Sequence, residues 1–293
     1  MYSLSKDMSV KLAYSEMNQY VFQYPNLFEM YMKGNSLTIN DNPEVWLPAT
    51  GSLPPQKSKQ VVAGGFLSLA KDFEISIEGY YKSMTNVIED AGINYNTQPA
   101  NWENLFDVGK GWSYGLEFYL EKKLNKTTGW IAYTLSKTER QFVDLNNSQP
   151  FPYTFDQRHN INLVINQKFS EQFDIGIVWV YRSGQCITLP VGHYSSNFNL
   201  ASGDINTNKN DIYYLSNINA YSMPAYHRLD IGFNFHKKKR WGERTWSLGV
   251  YNAYNRQNTF LIYTDYDVAT GKIVLKSLCI FPIIPSVTYS LKI

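Results

Sequence analysis

The chain has 293 residues, of which 44% are hydrophobic, and its 27 basic and 25 acidic residues leave a formal net charge of +2. This balance gives no reason to expect a nucleic-acid partner, and two distant cysteines predict neither a disulfide framework nor a metal or cofactor site. No apolar run approaches the roughly 18 residues of a membrane-spanning helix, which excludes a helical membrane protein.

The N-terminal part of the chain begins without a targeting segment and then reads as strands broken by one long loop. Its first residues, MYSLSKDMSVKLAYSEM, have neither the apolar region nor the small-residue cleavage site of a secretory signal. Residues 23–56, with five prolines, predict a long loop. The break LAKDF, residues 69–73, predicts a short turn between two strands.

A strand with two different faces is predicted by GWSYGLEFYLEKK, residues 111–123. Its even positions from Trp112 to Leu120 are all large and apolar, whereas its odd positions from Gly111 to Glu121 are small or polar. Later segments repeat this period of two, namely TGWIAYTLSKT, RHNINLVINQK, FDIGIVWVYRSG and HRLDIGFNFH. Each of these strands therefore presents one apolar and one polar face.

The connections between strands alternate in length, which is typical of a transmembrane β-barrel with short periplasmic turns and long extracellular loops. Short turns are predicted at residues 69–73, 122–129, 168–173 and 236–244. Long loops are predicted at residues 23–56, 89–108, 143–156 and 190–222, with a shorter one at 264–272. The aromatic content of 16% fits the girdles of such barrels. We predict an all-β fold, an antiparallel transmembrane β-barrel portion of about ten strands.

Several segments, in order, also carry a family resemblance: SYGLEFYLEKK, GWIAYTLSKTERQF, FPYTFDQRHNINLVINQKFS, WVYRSGQCITLP, MPAYHRLDIGFNF, WSLGVYNAYNRQN and SLCIFPIIPSVTYSLKI. With DNPEVWLPATGSLPPQKSKQ and IEGYYKSMTNVIE upstream, they resemble the C-terminal barrel region of TonB-dependent outer-membrane receptors. The type is the one common in Bacteroidetes, with carboxypeptidase-regulatory-like relatives. The resemblance implies a non-enzymatic receptor that imports a scarce ligand across the outer membrane of a Gram-negative bacterium.

Receptors of this family have a large barrel of about 22 strands closed by an N-terminal plug. The resemblance therefore implies that residues 1–293 form the C-terminal part of such a barrel, without the plug and the signal peptide. The implied partners are outer-membrane lipid, the missing plug and earlier strands, TonB through the absent N-terminal region, and the barrel-insertion machinery. Because an open sheet in lipid leaves unpaired backbone groups, the chain should pair with those strands, close into a smaller barrel or fail to accumulate.

Charged and polar residues on the inward positions of the strands predict a lumen-facing wall. They are Glu74, Glu78, Lys82, Glu117, Tyr119, Glu121, Lys137, Arg158, Arg182, Arg228, Asp230 and Lys292. Because both signs of charge occur, we expect the wall to bind the plug rather than one small ion. The loops also hold aromatic residues suited to stacking on a ligand, namely Phe28, Tyr31, Trp46, Tyr194, Phe198, Tyr213 and Tyr214.

Two other classes of protein remain open at this point. A small outer-membrane barrel enzyme would need catalytic groups at the rim, and the candidates are His193 with Ser195, Ser196, Asp204 and Asp211 in one loop. That loop contains no GxSxG or HExxH motif. A soluble β-sandwich that binds carbohydrate would instead pack its apolar faces against each other.

The chain ends with PSVTYSLKI, which predicts a closing strand recognised during assembly. Val287, Tyr289, Leu291 and Ile293 are expected to face lipid, whereas the residues between them face inward. Similar barrels usually end in an aromatic residue, which favours the membrane interface. In a full-length receptor, Ile293→Phe is therefore expected to raise assembly, and deletion of residues 289–293 to abolish it.

Overall fold

The computed structural model describes residues 2–24, 30–33, 36–39, 45–69, 72–90, 101–198, 205–215, 217–267 and 272–292. Its strands are β1 (Tyr2–Ser3), β2 (Met8–Gln19), β3 (Val21–Tyr24), β4 (Met30–Lys33), β5 (Ser36–Ile39), β6 (Val45–Pro48), β7 (Gln56–Leu69), β8 (Phe73–Asp90), β9 (Phe106–Lys122), β10 (Thr127–Gln141), β11 (Phe151–Pro152), β12 (His159–Lys168), β13 (Phe173–Arg182), β14 (Cys186–Ile187), β15 (Pro190–Phe198), β16 (Ile205–Leu215), β17 (Tyr221–Ser222), β18 (Tyr226–Lys239), β19 (Gly242–Tyr251), β20 (Thr259–Asp267), β21 (Lys272–Cys279) and β22 (Ile284–Lys292). Two short 3-10 helices, Trp102–Leu105 and Asn146–Ser148, lie in connections. None of the helices in these ranges has the length and apolarity to span a membrane.

The fold is built on one large antiparallel sheet. Its strands follow the order β1-β2-β7-β8-β9-β10-β12-β13-β18-β19-β22, and β11 pairs beside β10. Ten of them are nine to 18 residues long, which agrees with the predicted number of strands. Each long strand pairs with the next one along the chain that belongs to this sheet, so the connectivity is a meander.

The short and long connections lie at opposite ends of the sheet, as predicted. Short turns join β7 to β8, β9 to β10, β12 to β13 and β18 to β19, and we call their side the turn end. All the longer connections lie at the other side, the loop end, and contain the small hairpins β3–β6, β4–β5, β15–β16 and β20–β21.

Two predicted breaks differ in extent from the observed ones. The predicted turn at 236–244 shrinks to Arg240 and Trp241, because β18 and β19 stay paired as far as Lys239 and Gly242. The predicted loop at 264–272 is the tip of a longer excursion between β19 and β22, which contains the hairpin β20–β21.

The pairing register separates a polar from an apolar face. One row of directly paired residues on the polar face is Glu78, Glu117, Thr134, Asn160, Arg182 and Tyr226. The adjacent row, on the apolar face, is Ile77, Phe118, Tyr133, Ile161, Tyr181 and His227. Apolar side chains on this face remain open, for example Leu12 with 76% of its surface exposed. The sandwich alternative is therefore wrong, because a sandwich would cover this face.

Aromatic side chains border the apolar face at both ends. At the turn end, the rings of Phe173 and Phe235 stack 5.1 Å apart. At the loop end, Tyr133 stacks on His159, with 2.9 Å between its hydroxyl oxygen and Nδ1 of the imidazole. Along β18, Phe235 and His227 are separated by about 20 Å of membrane depth at a typical strand tilt. Two aromatic rows at this spacing have the form of the girdles of an outer-membrane barrel.

The sheet is open within the described residues. No pairing there joins β22 to β1 or β2, so the two outer strands each leave one row of backbone groups unpaired. Among the described residues, most of the buried apolar side chains lie in two small clusters at the loop end, and Cys186 and Leu189 are buried outside these clusters. One cluster contains Phe22, Leu53 and Phe106, and the other contains Val87, Phe142 and Phe151.

Candidate functional site

Most residues of the predicted wall share the polar face. The pairing register and strand alternation place ten of the twelve there, namely Glu74, Glu78, Lys82, Glu117, Tyr119, Glu121, Arg182, Arg228, Asp230 and Lys292. Arg158 lies just before β12, and its carbonyl accepts a hydrogen bond from the Ser136 amide at 3.1 Å. These residues do not form one cluster, because they extend from β8 to β22 across the sheet.

The prediction for Lys137 is wrong. Lys137 pairs with Tyr114 in the register and so lies on the apolar face. Its ammonium group is 2.7 Å from Glu139 Oε1, while the other carboxylate oxygen of Glu139 accepts a hydrogen bond from Trp112 Nε1 at 3.0 Å. Strand alternation places Lys137 on the same apolar face as Leu135. A charge is acceptable at this position because it lies near the loop end of β10, beyond the middle of the sheet.

At the turn end of the polar face, Lys123 neutralises two wall carboxylates. Its Nζ lies 2.5 Å from Glu74 Oε1 and 3.9 Å from Glu121 Oε2. The hydrogen bond to Glu74 is the main cause that raises the pKa of the exposed Lys123. These two carboxylates are therefore not free to pair with a plug unless Lys123 releases them.

Arg228 is likewise engaged within the wall. Its Nε and Nη2 each lie 3.0 Å from Asp230 Oδ2, and its Nη1 donates to the hydroxyls of Tyr226 and Tyr251 at 3.0 and 2.7 Å. Its guanidinium carbon also lies 4.1 Å from the centre of the Tyr251 ring. This arrangement gives Arg228 a structural role. The sequence did not identify the two tyrosines as partners of Arg228, because the contact with Tyr251 depends on the register between β18 and β19.

A second polar network, which sequence analysis did not identify, lies nearer the turn end. Asp174 Oδ2 is 2.5 Å from His236 Nε2, and His236 Nδ1 is 2.9 Å from Thr245 Oγ1. Asn234 donates to the other carboxylate oxygen of Asp174 at 2.8 Å. These contacts join β13, β18 and β19 across the polar face. The described residues contain no group of three or more acidic, His or Cys side chains that could hold a metal.

A cavity of about 370 Å³ opens at the loop end where β13, β18 and β19 meet. Arg182, Tyr226 and Tyr251 contribute from these strands, and Phe260 and Phe281 contribute aromatic rings from the excursion between β19 and β22. The remaining lining residues are Gln157, Ser183, Gly184, Gln185, Met223, Pro224, Asn258, Thr259 and Ile280. One exposed guanidinium, several amides and aromatic rings suit a ligand that carries both an anionic and an apolar part.

A second recess, of about 580 Å³, lies mainly on the apolar face rather than at the loop-end cavity. It is lined mainly by apolar-face residues such as Ala63, Gly79, Tyr81 and Leu116. A recess on this face meets lipid rather than solute.

Other candidates lie outside what the structure describes. Phe28 and Asp204 fall outside the described residues, and so does Ile293 of the terminal strand. For His193, Ser195, Ser196 and Asp211, and for the loop aromatics Tyr31, Tyr194, Phe198, Tyr213 and Tyr214, only the backbone is described. Trp46 is exposed, at 59% of its surface. In β22, Val287, Tyr289 and Leu291 lie on the apolar face, as predicted.

An antiparallel sheet with one lipid-compatible face, two aromatic girdles and segregated turns and loops is the wall of an outer-membrane barrel. Residues 1–253 match the family described as TonB dependent receptor-like, beta-barrel. The chain belongs to this family, whose members lie in the outer membrane of Gram-negative bacteria and are receptors rather than enzymes. This membership confirms the predicted family, location and absence of enzymatic function, while the Bacteroidetes type stays a prediction.

Solved structures share the fold at low sequence identity. The ferripyoverdine receptor of Pseudomonas aeruginosa, bound to ferripyoverdine, is 12% identical with a TM-score of 0.55, and the match covers 99% of this chain and 31% of that one. The ferric preacinetobactin receptor of Acinetobacter baumannii is 14% identical with a TM-score of 0.55, and the match covers 99% and 35%. The chain thus spans about a third of the length of these receptors. No curated protein matches it.

Proposed function

We propose that this chain forms part of the barrel wall of a receptor that imports a ligand across the outer membrane with energy from TonB. The observation that carries the proposal is the two-faced sheet, whose loops gather at one end around a mixed polar and apolar cavity. The turn end then faces the periplasm and the loop end faces the outside, as in other outer-membrane barrels.

We further propose that the chain is the C-terminal part of a larger barrel. Support comes from its open edges, because an unpaired backbone group in hydrocarbon costs several kcal/mol, and from its length of about a third of the matched receptors. The edges at β1–β2 and β22 would pair with further strands. The polar face would then line the lumen and contact a plug, with Arg182 available to it and Arg228 held by the wall.

The ligand we propose is an anionic compound with an apolar portion, bound at the loop-end cavity. Arg182 has no ion-pair partner among the described residues, so it can meet a carboxylate, phosphate or chelate oxygen. Tyr226, Tyr251 and Phe281 offer aromatic surface beside it. Because the two matched receptors are named for ferric chelates, such chelates are the first compounds to test.

The test is uptake of radiolabelled ferric chelates by cells that produce the receptor containing this chain. We expect accumulation with TonB, surface binding alone without TonB, and a higher concentration for half-maximal uptake in Arg182→Gln. The matched control is Lys82→Gln, which removes a charge from the same face away from the cavity. Equal accumulation with and without TonB would refute energised import, whereas no response to any chelate would refute this ligand class.

A further inference from the structure

The charges on the apolar face differ between the two ends of the sheet. At the loop end both signs of charge occur: Lys59 Nζ lies 3.4 Å from Glu16 and Lys137 Nζ lies 2.7 Å from Glu139, beside Lys57 and Lys110, which form no ion pair among the described residues. At the turn end, no Asp or Glu of the described strands lies on this face. The basic residues there have no acidic partner beside them, and this difference needs a separate explanation.

Three basic residues on the β18–β19 hairpin form what we call the basic collar: Lys237, Lys239 and Arg244. Lys237 pairs directly with Arg244 in the register, so two like charges lie opposite each other. Such a pair is destabilising unless something of the opposite charge lies against it. None of the three forms an ion pair within the described part of the chain.

The basic collar lies immediately beyond the turn-end aromatic girdle. Phe235 and Trp246 pair directly with each other, two residues from Lys237 and Arg244 along their strands. The ring of Trp246 lies 4.9 Å from that of Tyr289. Trp241 at the tip of the hairpin is 55% exposed, with Lys239 Nζ 5.9 Å from its ring centre. Aromatic girdles mark the interface of a membrane, so the collar lies at the depth of lipid headgroups.

A cation next to an aromatic ring also occurs elsewhere at the turn end of the sheet. Lys122, at the end of β9, pairs with Phe73 on the apolar face, and its Nζ lies 5.9 Å from the centre of the Phe73 ring. These two residues lie at the same level, so a cation again lies beside an aromatic ring at the turn end of the apolar face.

We propose that the basic collar binds the headgroups of anionic phospholipids in the leaflet at the turn end. Lysine and arginine on a membrane-facing surface attract anionic lipid, and the girdle holds them at the level of the phosphates. The lipid phosphate would lie between Lys237 and Arg244 and relieve their repulsion. The inference rests on the proposed membrane orientation but not on the proposed ligand or on TonB.

The test uses the receptor containing this chain, reconstituted in phosphatidylcholine vesicles with a trace of spin-labelled phosphatidylglycerol or spin-labelled phosphatidylcholine. The fraction of motionally restricted label measures association with the barrel. At low salt we expect phosphatidylglycerol to associate about threefold more strongly than phosphatidylcholine, since each nearby cation adds attraction. Because the two lysines of the collar are exposed and Arg244 is partly exposed, 1 M salt should remove this preference.

The decisive variant is Lys237→Gln/Lys239→Gln, matched by Lys238→Gln/Lys292→Gln. Both remove two lysine charges at the turn end, but the control pair lies on the polar face, on either side of Glu243 in the register. We expect only the first to lose the preference, and Lys237→Arg/Lys239→Arg to retain it. The proposal is overturned by a wild type without preference, by equal loss in both double variants, or by a preference that survives 1 M salt. The effect of 1 M salt on the wild type tests the proposal even if a variant does not insert into the vesicles.

Discussion

Lys11 Nζ lies 3.0 Å from Glu78 Oε2, although a whole strand separates them. The residue between them in the register is Gly64 of β7, which pairs with Lys11 on one side and Glu78 on the other. A Cβ atom at Gly64 would lie 2.7 Å from Glu78 Cγ and 3.1 Å from the Ile77 carbonyl oxygen. The ion pair therefore spans three strands because the middle one has no side chain.

We expect Gly64→Ala to push Glu78 aside and break this pair. The loss should be about 1 kcal/mol in the free energy of unfolding, because the pair is partly solvent-screened and the added methyl group is crowded. The control is Gly65→Ala, where an added Cβ meets nothing within 4 Å. Urea unfolding of the receptor in detergent measures both. Equal midpoints for the two variants would show that Gly64 has no such role.

Arg182 and Arg228, both in the wall predicted to bind a plug, should behave differently. Arg228→Gln should destabilise the wall by about 1–3 kcal/mol, because it leaves the Asp230 carboxylate without its partner. Arg182→Gln should leave the urea midpoint unchanged, since this exposed side chain forms no ion pair in the described structure. Its effect should appear instead as a plug that proteases cleave more readily. The reverse assignment of the two effects would contradict the observed contacts.

The two faces of the terminal strand provide a third prediction. Val287 lies on the apolar face with 65% of its surface exposed, and Thr288 lies on the polar face. A lysine at a lipid-facing position costs about 2–4 kcal/mol near the middle of the membrane. Val287→Lys should therefore reduce assembly strongly, as seen by heat-modifiable migration, whereas Thr288→Lys should assemble almost normally. If both assemble alike, β22 does not meet lipid.

Asp156 should make the loop end sensitive to pH. Its side chain is 8% exposed, its Oδ1 accepts the Thr138 amide at 2.6 Å, and burial raises the pKa of its carboxyl group above the ordinary value. The folded protein then binds the proton more tightly than the unfolded chain. Stability is lost as the pH rises from about 3.9, the unfolded value, through the raised folded pKa.

Asp156→Asn keeps an oxygen that can accept the Thr138 amide but removes the buried charge. We expect hydrogen exchange at Thr138 to be slower than in the wild type at neutral pH, and the pH dependence of its protection to flatten. Asp144→Asn, in the same connection but without a buried carboxylate contact, is the control. Faster exchange in Asp156→Asn at pH 7 would mean that the charge itself stabilises the bond.

Strand alternation was enough to predict the two faces, because the side-chain period of two is a local property of the sequence. The same alternation places Lys137 on the apolar face, and the prediction that it faces the lumen was wrong because it followed the charge of the residue instead. The cavity could not be predicted in the same way. Arg182 and Tyr226 are direct neighbours only because β18 pairs with β13 across a long excursion of the chain. The partner of Glu78 likewise comes from 67 residues away.

The pairing of β13 with β18 has one further consequence for how the molecule can be built. Ten successive residue pairs, from Phe173 and Phe235 to Arg182 and Tyr226, hold these strands together without help from the segment that links them. The covalent connection at this point is thus dispensable in principle for the cohesion of the wall. The chain could be made as two polypeptides, separated between β15 and β16, that reassociate along this seam as complementing halves.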